Sequence, residues 1–254
     1  MSAQLGLRRR AVLGGLAAGF GVPIFPSSAK TAQGFIGELE FRAVEKPDAT
    51  VFFELLKDFG YIDSTGARWQ AKTGALTDGA SIPRVLWPIT GHPYQGPYLK
   101  AAVIHDYYCD RENRYRKWEN VHRVFYDGMS FNGVSAIKAA LMYFAVWRFG
   151  PRWDVAELKP CTPGPNQFCA SAQVTGYRVF SADVKSFNIA EEEAQLREFE
   201  SSASRKLPPL EDIPAYEASL PKIERAQSML DVDAKSDKGW LFRNPYRMPI
   251  TAPR

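Results

Sequence analysis

Apolar residues recur along this chain in two rhythms. Up to residue 72 they cluster in short runs. Gly34 to Glu45 carries Phe35, Ile36, Leu39, Phe41 and Val44 and reads as a strand. Val51 to Leu56 opens with aromatic and β-branched residues and ends in Lys57-Asp58-Phe59-Gly60, a strand followed by a turn. Tyr61-Ile62 follows, Asp63-Ser64-Thr65-Gly66 is a second turn, and Arg68 to Lys72 is a further short strand. Together these predict a small antiparallel sheet.

From residue 97 the rhythm becomes helical. Pro97 to Arg111 is expected as a helix, with Pro97 at its start. Leu99, Ala102, Val103 and Asp106 mark one face, and Ala101, His105, Tyr108 and Cys109 the adjacent one. Arg116 to Met129 is a second helix. Its Trp118, Val121, His122, Phe125, Tyr126 and Met129 follow the i, i+3, i+4, i+7 pattern of an amphipathic face. His122 therefore points inward. The link between the two helices is short, so they are expected as antiparallel neighbours, an arrangement that brings His105 and His122 together. Val134 to Phe149 is a third, strongly apolar helix that Gly150-Pro151 stops. After Pro160 the pattern weakens. Gln173 to Ser181 reads as a strand, Ala190 to Lys206 as a charged amphipathic helix, and the last forty residues as a proline-rich, extended tail. The fold class is thus α+β: a small antiparallel sheet, a three-helix core and an irregular, partly helical C-terminal extension over 160–254.

Composition narrows the class. With 45% hydrophobic residues in 254, the chain can bury a substantial core. The net charge is +4, but Arg8, Arg9 and Arg10 contribute three of those charges, and the rest of the chain is near neutral. No basic stripe is interleaved with aromatics, so nucleic acid is not an expected partner.

The three arginines precede a short, glycine-rich apolar stretch, Ala11 to Val22, and Ser27-Ser28-Ala29 offers small residues for cleavage. Residues 1–29 are expected as a twin-arginine export signal and the protein as periplasmic or otherwise exported. The apolar stretch is too short for a membrane span. An oxidising compartment would favour a disulfide between Cys161 and Cys169, which flank a Pro/Gly-rich loop. Cys109 is left over and reads as a small buried hydrophobe, although, four residues after His105, it could also form a Cys–His pair with it.

The chemistry concentrates between Thr77 and His122, a window that holds all three histidines. Buried imidazoles and carboxylates are costly unless paired or bound to a metal. Thr77-Asp78-Gly79-Ala80-Ser81-Ile82-Pro83-Arg84, followed by Ala101-Ala102-Val103-Ile104-His105-Asp106-Tyr107, resembles the DUF1353 family of bacterial and phage proteins of unknown function, over roughly residues 35–132. The family pattern has a polar residue, usually Asp, on the next helix, with a phenylalanine three residues later. This chain has His122 and Phe125 there. The resemblance implies a shared site and a compact α+β domain, taken as residues 30–159, but no activity.

Two readings of the site follow. In the first, His105, His122, Asp106 and Asp78 hold one divalent metal (Zn, Mn or Fe) for hydrolysis. Asp106 or Asp78 doubles as general base, and Arg84 and Trp87 bind an envelope substrate. In the second, the same residues are a structural polar network in a non-enzymatic envelope or phage-associated binding protein.

Overall fold

The computed structural model describes residues 32–45, 51–77, 96–159, 174–186, 188–243 and 245. The N-terminal segment 1–29 and the pair Cys161 and Cys169 lie outside the described residues, as do Asp78, Arg84 and Trp87.

The N-terminal strands form two three-stranded antiparallel sheets rather than one. The first has the order β1 (Gly34–Ile36), β4 (Phe59–Ile62), β5 (Arg68–Ala71). The second has the order β2 (Phe41–Glu45), β3 (Val51–Leu55), β6 (Leu76–Thr77). The predicted strand over 34–45 is broken at Gly37, whose φ of 83° is a left-handed conformation that a side chain would resist. That break sends β1 and β2 into different sheets. The β3 run is split from β4 in the same way by the bend at Leu56 and Lys57.

Helices α1 (Leu99–Cys109), α2 (Trp118–Phe131) and α3 (Ala136–Phe149) follow, within two residues of the expected bounds at every end. Every residue of α1 from Ala101 to Tyr108 is buried. A helix buried all round sits in the middle of its domain, and α1 does so. Its Ala101 and Ala102 join Tyr98, Phe125, Met129 and the apolar face of α3 in one core cluster. Its Val103, Ile104, Tyr107 and Tyr108 join Leu55, Phe59, Tyr61 and Trp69 of the sheets in a second.

The C-terminal region is more regular than its sequence pattern predicts. β7 (Arg152–Leu158), β8 (Gly176–Val184) and β9 (Arg225–Asp233) make a third antiparallel sheet, in that order. β8 and β9 pair over nine residues, from Gly176↔Asp233 to Val184↔Arg225. α4 (Ile189–Arg205) and α5 (Ile213–Ser219) intervene, and α6 (Asp237–Arg243) follows β9. Periodicity missed β7 because only Trp153 in it is fully buried. The architecture is α+β. Among the described residues, no helix is long and apolar enough to cross a membrane.

Candidate metal centre

α1 and α2 run side by side, and their facing surfaces carry the polar cluster. His105 lies mid-way along α1, is 3% exposed, and stacks against Phe125 of α2 with ring centroids 4.9 Å apart. His122, on the apolar face of α2, is 0% exposed and packs against Trp118 at 5.4 Å. The two rings meet edge to edge. Nε2 of His105 is 2.9 Å from Nδ1 of His122.

Cys109 completes the group. It lies four residues after His105, one turn along the same helix, and its Sγ is 3.5 Å from His105 Nε2. One ligand atom from each of His105, Cys109 and His122 can be chosen so that all three lie within 4.8 Å of one another. Cys109 is half-buried and carries a free thiol.

Asp106 occupies a different place. Consecutive helical residues diverge by about 100°, so its carboxylate lies behind His105 rather than beside the two other donors. Oδ1 is 3.5 Å from Nδ1 of His105, an electrostatic contact longer than a good hydrogen bond. Oδ2 accepts from Thr77 Oγ1 at 2.6 Å. A carboxylate against the far nitrogen of an imidazole is the usual support of a metal-binding histidine.

The electrostatics of the two rings are opposed. Burial works against a charged His105, but the Cys109 sulfur and the Asp106 carboxylate outweigh it and push its pKa up to about 10. Burial holds His122 well below its ordinary value, and the neighbouring His105 and Arg152 push it further down. Without a metal, the proton therefore sits on His105 Nε2 and neutral His122 accepts it at Nδ1. His122 Nε2 is buried and meets no hydrogen-bond partner of proper geometry.

The donor set fits a transition metal. A tetrahedral zinc with Zn–N of about 2.05 Å and Zn–S of about 2.3 Å separates its ligands by about 3.3 Å for N···N and about 3.6 Å for N···S. The Cys109 sulfur is 3.5 Å from Nε2 but also 3.8 Å from Nδ1 of His105, so it lies beside the ring and its side chain would have to turn to share an ion with Nε2. The observed N···N separation of 2.9 Å is shorter, so the two imidazoles would have to part slightly, trading a hydrogen bond for two coordinate bonds. A thiolate with two imidazoles suits zinc better than manganese, which prefers oxygen.

Of the residues singled out from the sequence, the structure brings His105 and His122 together and sets Asp106 behind His105. The donor not counted among the metal ligands from the sequence is Cys109, which was paired there only with His105. Its signal was the i, i+4 spacing to His105.

The molecule is thus an α+β protein with a His/Cys/His cluster, its two histidines buried and its cysteine half-buried, on two neighbouring helices. Residues 53–146, a stretch that includes all three cluster residues, match the family model described as "Protein of unknown function (DUF1353)". The resemblance seen in the sequence over roughly residues 35–132 is thereby matched from residue 53 onward, and the match runs on to residue 146. The chain is 43% identical over 143 residues to "Uncharacterized protein y4iH" of Sinorhizobium fredii (strain NBRC 101917 / NGR234), covering 56% of this chain and 58% of that protein. It is 47% identical over 123 residues to "Uncharacterized protein y4jT" of the same organism, covering 46% of this chain and 36% of that protein. The chain thus aligns with little more than half of one of these relatives and about a third of the other, and neither name supplies an activity. No solved structure matches the chain.

Proposed function

We propose that this protein is an exported, metal-dependent hydrolase of the cell envelope, with His105, Cys109 and His122 holding one zinc ion. The observation that carries the reading is the number and type of donors. Among the described residues, the cluster offers three donors, one thiol and two imidazoles. Three protein ligands with one position left for water is the pattern of catalytic zinc, whereas structural zinc takes four. Zinc so held would supply Lewis acidity and lower the pKa of a bound water toward neutrality. The chain's own contribution is the donor set itself, with Asp106 behind His105. Asp78, Arg84 and Trp87 remain candidates for general base and substrate contacts. The basic Arg8-Arg9-Arg10 and the apolar stretch after it support export. The expected partner is an envelope substrate and not a nucleic acid.

One observation favours a second reading, a non-enzymatic binding protein in which the cluster only locks α1 against α2. The 2.9 Å His105–His122 contact is already a good hydrogen bond, and both rings are buried.

Elemental mass spectrometry of the purified full chain separates the two. The hydrolase reading expects about one zinc per chain. That metal should be lost in His105→Ala, Cys109→Ala and His122→Ala, each folded by circular dichroism. A metal-free wild type, unmoved by added zinc in a thermal-shift assay, would leave only the structural network.

A further inference from the structure

β9 is an edge strand with one open side. It pairs with β8 over its whole length, and among the described residues no strand lies against its other side. The bonds that frame the ladder run from the Ala234 N–H to the Thr175 oxygen and from the Lys185 N–H to the Glu224 oxygen. Hydrogen-bonded residues alternate along an antiparallel ladder. Ala226, Ser228, Leu230 and Val232 therefore turn their N–H and C=O toward β8, and Gln227, Met229 and Asp231 turn theirs outward.

Proteins blunt such edges with charge, proline or a bulge. The middle of β9, Ala226-Gln227-Ser228-Met229-Leu230, has no charge and no proline, and its pairing with β8 runs without a bulge. Met229, at the centre, is 68% exposed, more than any other large hydrophobic residue among those described. Phe180, its partner on β8, is 40% exposed beside it. An apolar centre on an unblunted edge is a surface for pairing with another strand.

The order of side chains along β9 favours a copy of itself. When two β9 strands run antiparallel about a two-fold axis at Met229, the whole strand overlaps, and Met229 meets Met229 through the outward N–H and C=O groups. Gln227 stands opposite Asp231 of the second copy, an amide against a carboxylate. Arg225 stands opposite Asp233. Its guanidinium already donates to the carbonyl oxygens of Gly150, Ala182 and Arg148, so it brings charge to that end rather than a new bond. No like charges meet. A shift of two residues either way would set Met229 against Gln227 or Asp231 instead.

We propose that β9 is the interface of a two-fold dimer of this chain. Two copies join their three-stranded sheets into one continuous sheet of order β7-β8-β9-β9-β8-β7, in which Phe180 and Met229 of both copies form one apolar row. Such an interface is isologous, the same strand serving on both sides. It does not depend on the metal centre.

The test weighs the full chain by light scattering after size exclusion, with circular dichroism to establish folding. Wild type should have twice the mass of one chain. Met229→Lys and Met229→Glu each set like charges directly opposite one another, which destabilises a cross-strand pair, and each alone should have the mass of one chain. An equal mixture of the two sets lysine against glutamate and should restore the doubled mass. If neither charged variant folds, Gln227→Pro takes their place. It removes one outward N–H, which an edge strand tolerates, and should also give the mass of one chain. A monomeric wild type overturns the proposal. So does a dimer that survives Met229→Lys or, in its place, Gln227→Pro, and so does a mixture of the two charged variants that stays monomeric.

Discussion

Gly150→Ala tests whether the end of α3 holds the His122 ring in place. Gly150 follows α3 with φ −68° and ψ 164°, a backbone that alanine adopts freely. Backbone conformation therefore gives no reason for a glycine. Space does. A methyl there would lie 2.2 Å from the Val146 carbonyl oxygen, 2.9 Å from His122 Cε1 and 3.0 Å from His122 Nε2. Carbon contacts are comfortable at about 3.5–4.0 Å, so the chain end or the ring must move by more than half an ångström. The Val146 oxygen also accepts the Gly150 N–H at 2.8 Å, and Arg225 holds the Gly150 oxygen at 2.8 Å, so the chain end resists. Overpacking of this kind costs about 1–3 kcal/mol. At about 2–4 °C per kcal/mol for a chain of this size, the melting temperature should fall by about 2–12 °C. Urea titration in a double-mutant cycle with His122→Ala apportions the cost. Removing the ring should relieve part of it, with a coupling of about 0.5 kcal/mol or more. A Gly150→Ala protein as stable as wild type, or one whose cost is identical with and without the His122 ring, would refute the reasoning.

Other consequences are open to the same methods. Glu217 accepts from Arg148, which is 2% exposed at its side chain, and from Arg152, both at 2.9 Å. Removing one partner of a buried ion pair costs about 3–5 kcal/mol, so Glu217→Ala should lower the urea midpoint markedly, and a change below 1 kcal/mol would contradict the pairing. In chelator-treated protein the two histidines act on opposite sides of pH 6.5. His122, held below that value when folded, contributes stability that is present above pH 6.5 and lost as the pH falls toward its folded pKa. His105, raised to about 10, contributes stability that is complete below pH 6.5 and lost as the pH rises through about 10. Urea midpoints at pH 5, 6.5 and 9 should therefore peak at the middle value. A midpoint still climbing at pH 9 would contradict the charged His105.

Much of this protein follows from local pattern. The 3.6-residue spacing of Trp118, Val121, His122, Phe125 and Met129 determines α2 and turns His122 inward, whatever surrounds it. A short link then makes α1 and α2 antiparallel neighbours, which suffices to bring His105 to His122. The i, i+4 step from His105 to Cys109 was equally visible, but a lone cysteine on a buried helix has the same pattern as any small hydrophobe. Only the arrival of His122 at 2.9 Å from the same nitrogen makes its sulfur a donor. The division of the strands between two sheets depended on Gly37 and on which partner each strand meets, not on alternation within the strands. β7 and β9 were hidden because their exposed residues carry no signal, and their pairing with β8 is set by backbone hydrogen bonds that every sequence can make. The place of Asp106 was decided last. Its sequence position beside His105 suggested a shared ion, but the helix turns its carboxylate behind the ring, where a strand distant in sequence, ending at Thr77, meets it. Periodicity is a property of one segment and can be read from it. Partnership is a property of two, and exists only once the chain has folded.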